Sequence, residues 1–83
     1  MAMSVSSRVA HIQPAEGGCF IFLSEPEVQP LDGEFWLGRN HDNYDSLYAL
    51  AVLCAVNGYI LTIGTSNEIV PTERGWVSWM KAF

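Results

Sequence analysis

Apolar and polar positions alternate in short runs along most of this chain, and one stretch breaks the rhythm. Residues 47–56, LYALAVLCAV, are ten apolar residues in a row. Asp42 and Asn43 stand just before the block, where a side-chain oxygen accepts an orphan N–H of a helix start. Asp45 falls in the first turn, facing the positive end of the helix dipole. Asn57-Gly58 closes the block with the left-handed residue that commonly ends a helix. The pattern predicts one helix of ~14–15 residues, roughly 22 Å long.

The flanking runs have the two-residue period of strands. Residues 6–13 (SSRVAHIQ) predict a first strand with imperfect alternation. Pro14 and Gly17-Gly18 predict a turn into a second, 19–23 (CFIFL), and so an antiparallel hairpin. Phe20 and Phe22 fall on one face of that strand and Cys19, Ile21 and Leu23 on the other. Residues 24–33 (SEPEVQPLDG) predict a loop with a turn at Asp32-Gly33. A third strand is expected over 34–38 (EFWLG), a fourth over 59–65 (YILTIGT) and a fifth over 75–83 (GWVSWMKAF). Tyr59, Leu61 and Ile63 share a face of the fourth; Trp76, Ser78 and Met80 share one of the fifth, opposite Val77, Trp79 and Lys81. Residues 1–5 are expected to be a disordered tail, and residues 1–83 to be a single domain.

The order is β-β-β-α-β-β in an α+β chain. One helix cannot cover five strands on both sides. A small antiparallel sheet, curled into an OB-like barrel with the helix against it, buries most of these residues; an open sheet with one uncovered face is the alternative. The helix itself carries two apolar faces. Leu47, Leu50, Ala51 and Cys54 form the stripe that meets the sheet. Tyr48, Val52, Ala55 and Val56 leave no polar back, and a helix apolar all round is buried all round. A chain of 83 residues has little left to cover that second face, so Tyr48, Val52, Ala55 and Val56 are expected to meet another copy of the chain. A membrane span is not expected, since ten apolar residues fall far short of the ~20 required.

Composition supports self-association. Charged residues make up 16% and apolar residues 49%, against ~25% charged in an ordinary domain. The net charge is −5, and the four basic residues, Arg8, Arg39, Arg74 and Lys81, are scattered. Binding to a phosphate backbone needs them clustered, so nucleic acid is not an expected partner. The first residues show neither a basic n-region nor an apolar h-region, which predicts a cytoplasmic protein, a mature secreted form remaining open. Cys19 and Cys54 read as two small buried thiols, with a disulfide between them as the alternative.

Catalytic motifs are missing. The serines lack a GxSxG setting, no Gly-rich phosphate loop is present, and no cofactor is expected. His41, Asp42 and Asp45 are the nearest approach to a metal or acid/base cluster, but capping accounts for both acids. Glu25, Glu27 and Asp32 lie in a proline-rich loop, a poor platform for paired carboxylates. The aromatic set is the better candidate: Trp36, Trp76 and Tyr59 offer flat, amphipathic surface for a saccharide or other small ligand. The expectation is a non-catalytic, homo-oligomeric binding or scaffold module. A ligand-binding barrel using those aromatics is the alternative, and a metal-assisted hydrolase built on His41, Asp42 and Asp45 is a third.

The helix block, with Asn43-Tyr44, Leu47-Tyr48, Leu50, Cys54-Ala55 and Asn57-Gly58-Tyr59, resembles a group of short bacterial proteins of unknown function. From Gly33 onward the strand–helix–strand order is also loosely similar to the B subunits of pentameric bacterial toxins. That likeness implies an OB barrel, ring assembly and binding of cell-surface sugars.

Overall fold

The structure, a computed structural model, describes residues 2–82. Five strands and one helix follow the expected order: β1 (Ser4–Ala15), β2 (Gly18–Leu23), β3 (Phe35–Gly38), α1 (Tyr44–Asn57), β4 (Ile60–Thr65) and β5 (Gly75–Lys81), with a 3-10 turn over Leu31–Gly33 before β3. The strands close into a barrel in the order β1-β2-β3-β5-β4, with β4 returning to β1. This is the OB-like barrel. The sheet is mixed rather than wholly antiparallel, because β3 and β5 run parallel, Phe35 beside Gly75 and Trp36 beside Trp76. The helical crossover between β3 and β4 turns the chain so that β5 returns alongside β3 in the same direction.

The irregular alternation of β1 has a physical cause. Its first half, Ser4 to Arg8, pairs with β4. Its second half pairs with β2, and the register shifts between Val9 and His11. A bulge bends the strand and resets which side chains point inward, which lets one long strand serve both sides of the barrel. The tail expected over residues 1–5 is therefore corrected. Ser4 and Val5 are paired in β1, Val5 is buried, and the Met3 and Ala2 carbonyls accept from the Thr65 and Ile69 N–H groups. Backbone bonded on this scale does not fray. Met1 and Phe83 lie outside the described residues.

The hairpin turns through Glu16-Gly17, with Ala15 opposite Gly18 and Gly17 at φ 85°. Asp32 and Gly33 both take left-handed backbone, φ 56° and 72°, at the turn their sequence predicts. The core is one cluster. Cys19, Ile21, Phe35, Leu37, Leu61 and Ile63 point into the barrel, and Leu47, Ala51 and Cys54 cap it from α1. Leu50, Tyr44 and Tyr48 pack against its edge.

A second bulge sits between Gly64 and Thr65, which pair with Trp79 and Val77. It breaks the alternation expected in β5: Val77 is buried while Trp79 is exposed. The Trp79 indole lies across Gly64, in the space a Cβ would take. No helix among the described residues is long and apolar enough to cross a membrane.

Candidate functional site

The barrel brings one row of side chains together across four strands. Gln13 of β1 stands opposite Phe20 of β2, Phe20 opposite Trp36 of β3, and Trp36 beside Trp76 of β5. At the spacing of neighbouring strands the row is roughly 14 Å long. Because strand side chains alternate, the residues between these, Cys19, Ile21, Phe35, Leu37 and Val77, fill the core, and the row faces outward. The Phe20 and Trp36 rings meet at 4.8 Å with a 56° tilt. His11 stacks on Phe22 at 4.1 Å and extends the ring surface beside the row. Trp76 is 46% exposed.

Arg74 stands over this surface. Its guanidinium carbon is 5.0 Å from the Phe20 centroid and 5.6 Å from those of Trp36 and Trp76, within cation–π range of all three. Glu34 touches it from one side, Nε to Oε1 at 3.6 Å. The loop carrying Arg74 is held at its root. The Asn67 side-chain amide donates to the Arg74 carbonyl at 3.0 Å, and its oxygen accepts from the Trp76 N–H at 3.1 Å. The Gly75 N–H donates to the Glu34 carbonyl at 3.1 Å. Trp36 is seated on glycine: a Cβ at Gly18 would lie 3.0 Å from its ring, and one at Gly38 3.3 Å from its indole nitrogen.

The second candidate surface is the outer face of α1. Tyr48, Ala49, Val52, Leu53, Val56 and Asn57 line a shallow hollow there. Val56 is 77% exposed and Leu53 44%. No charged side chain lines it. Asn57 turns back to donate to the Leu53 carbonyl at 2.9 Å. Ala55 sits on the flank of the helix, half-buried and outside the hollow.

At the start of α1 the capping differs from that expected. Asn43 occupies the N-cap position without a side-chain bond, and Asp42 and Asp45 are exposed. His41 serves instead. Its Nδ1 accepts from the Asn43 N–H at 3.0 Å. That contact places the ring proton on Nε2, which donates to the Ser78 carbonyl at 2.9 Å. Ser78 is the residue the β5 bulge leaves unpaired. Both imidazole nitrogens are thus spent joining the helix to β5, and the three residues proposed as a metal cluster do not form one among the described residues.

Cys19 and Cys54 are separate, buried thiols. Burial pushes both above their ordinary value of 9.0; at Cys19 a hydrogen bond with Tyr44 opposes the rise. Burial also raises the Tyr44 phenol above 10.0, and the neighbouring Cys19 adds to it, while Arg39 pulls it back. Groups held neutral in this way are poor nucleophiles and poor metal ligands.

Of the aromatic residues singled out in the sequence, Trp36 and Trp76 come together in the row. Tyr59 does not. It lies between α1 and β4, its N–H donating to the Cys54 carbonyl, roughly 20 Å along β4 from the end nearest Trp76. Sequence reasoning missed Arg74 and the part played by Phe20, Phe22 and His11. The two-residue spacing of Arg74 and Trp76, like that of Phe20 and Phe22, is the signal that finds them. No family model matches this chain, and no curated protein or solved structure matches it.

Proposed function

We propose that this chain is a non-catalytic binding module that works as a homo-oligomer, joined through the outer face of α1. One observation carries the reading: the apolar strip of Tyr48, Ala49, Val52, Leu53 and Val56 faces outward with no charged side chain among them. Contiguous apolar patches of this kind mark interaction surfaces. A second copy is the occupant that fits, because two chains of net charge −5 repel wherever charged faces meet, and this strip is a face that brings no charge to the contact. The likeness of the segment after Gly33 to ring-forming toxin subunits points the same way. Molar mass by light scattering at micromolar concentration tests it: a multiple of 9.2 kDa is expected, and a monomer throughout a concentration series overturns it.

A second reading accompanies the first, carried by a separate observation. The row Gln13–Phe20–Trp36–Trp76, with Arg74 above it, makes the barrel a ligand binder for a saccharide or other small ring compound. In OB barrels the face of strands 2 and 3, flanked by the 1–2 and 4–5 loops, often seats oligosaccharides or oligonucleotides; this row occupies that place. The likeness is one of fold, so the residues carry the case. Tryptophan fluorescence against a panel of glycans and small ring compounds tests it, and silence across the panel overturns it.

A further inference from the structure

We infer that the aromatic row is a site for a small ring compound bearing a single carboxylate; the inference rests on reading the barrel as a ligand binder and names the ligand class that reading leaves open.

The charge of the site selects the ligand. A cation seated on the rings would occupy the position Arg74 already holds, 5.0–5.6 Å from three ring centroids, and would be repelled by it. A polyanion needs several cations along its path, and this face offers one arginine on a chain of net charge −5. A monoanion is matched by one guanidinium.

The hydrogen-bonding groups point to the same class. Among the described residues the indole N–H groups of Trp36 and Trp76 make no hydrogen bond to the protein, so both are available as donors. The guanidinium is engaged with Glu34 through Nε at 3.6 Å, which leaves its terminal amino groups to form the paired contacts that fit a carboxylate. Glu34 is the carboxylate paired with Arg74 among the described residues, and Gln13 supplies a mixed amide at the β1 end of the row. A neutral sugar brings no charge to meet the guanidinium, whereas a sugar acid adds a carboxylate to the same ring hydroxyls. A carboxylate brings acceptors alone.

The rings supply the rest. Arg74 covers part of the Phe20, Trp36 and Trp76 rings, and the ring surface beside it, with Trp76 46% exposed, is where a flat ring or the CH face of a sugar can lie. Asn67 fixes the backbone on both sides of Gly75, so Arg74 and Trp76 are rooted before the ligand arrives and little ordering cost falls on binding.

The test is a set of titrations of the unaltered protein, read by tryptophan fluorescence and calorimetry, with D-glucuronate, D-glucose, benzoate and acetate. Glucuronate or benzoate is expected to bind at least tenfold more tightly than glucose and than acetate. Which of the two prevails separates a sugar acid from an aromatic acid as the source of the shared chemistry, and either supports the assignment. Equal binding of glucuronate and glucose overturns the anion while leaving a ligand-binding barrel standing. Acetate equal to the ring acids overturns the ring. No response to any of the four removes both this inference and the ligand-binding reading beneath it. In Arg74→Gln, which keeps the backbone carbonyl that Asn67 grips, the preference of glucuronate over glucose is expected to fall at least tenfold; an unchanged preference overturns the role of Arg74.

Discussion

The ring row and the outer face of α1 are both exposed and both apolar, yet they are built differently. The row is made of flat rings whose surroundings carry polar order: Arg74 over three of them, Glu34 beside it, and Asn67 clamping the loop beneath. The helix face is aliphatic apart from Tyr48, and its polar member, Asn57, spends its amide on its own helix. Directional groups of fixed geometry discriminate among small ligands. Uncharged aliphatic surface discriminates little and gains chiefly by leaving water. Exposed apolar area alone therefore separates nothing. Its polar trimming divides a ligand seat from a contact between chains.

The largest effect should come from putting a charge where the helix face closes on a copy. In a lone chain Val52 is half-buried, and a glutamate there can reach water. In the assembly the same carboxylate is buried without a partner. Val52→Glu is expected to weaken association at least a hundredfold, about 3 kcal/mol, while far-UV circular dichroism and binding at the ring row stay as they were. If the variant keeps its mass in solution, the helix face is in water and the contrast between the two surfaces collapses.

Next comes the clamp of the ring face. Asn67→Ala removes two hydrogen bonds and leaves the Trp76 N–H without its acceptor. A loss of about 1–3 kcal/mol is expected, seen as a thermal midpoint lowered by roughly 4–8 °C for each kcal/mol in a domain of this size. Affinity at the row should fall with it and oligomer mass should not. A variant that loses mass instead would tie the two faces together and undo the distinction.

The architecture was legible in the sequence because each element carried a local signal. Asn57-Gly58 closes α1, Gly17 turns the hairpin, and the stripe Leu47, Ala51 and Cys54 meets the barrel as its spacing required. The places misread are those where tertiary structure overrides local period. The bulges at Val9/His11 and Gly64/Thr65 shift the phase of alternation, which no window of one strand can show. The parallel closure of β3 on β5 joins segments about forty residues apart in the chain. The site was half-visible for the same reason. Trp36 and Trp76 stand out as residue types, whereas Arg74 matters only because the barrel sets it over rings from β2 and β3. His41 looked like chemistry beside Asp42 and Asp45 and proves to be a brace.

Beneath the two faces lies a shared interior, and alkaline pH probes it. Cys54 lies under the helix and Cys19 under the ring row. Burial raises both thiols above 9.0, so the folded state holds their protons more tightly than the unfolded chain does. Below about pH 9 both states carry the proton and stability is full. Above it the unfolded chain ionises first, and stability falls until the folded thiols ionise too. Tyr44, raised above 10.0, steepens the decline at higher pH. Urea midpoints between about pH 8 and about pH 10.5 should show it. Cys54→Ala and Cys19→Ala should each shallow the slope, since burial raises both thiols. A flat profile would mean that neither thiol is sealed from water.

The smallest effect on stability falls at Glu34, and it bears most directly on the ring face. Its contact with Arg74 is 3.6 Å long, between side chains 24% and 37% exposed, and ion pairs of that kind contribute about 0–1 kcal/mol. Glu34→Gln should therefore leave the thermal midpoint within a few degrees. It also removes the carboxylate that contacts the guanidinium among the described residues, so a ring acid meets a freer charge and glucuronate should bind several-fold more tightly. Glucose, which brings no charge, should not follow. Since the helix face holds no group for this substitution to touch, mass in solution should be indifferent to it. Tighter binding of glucuronate and glucose alike would trace the gain to relief of crowding at the rings, and weaker binding of the acid would show that Glu34 holds Arg74 in place for its ligand.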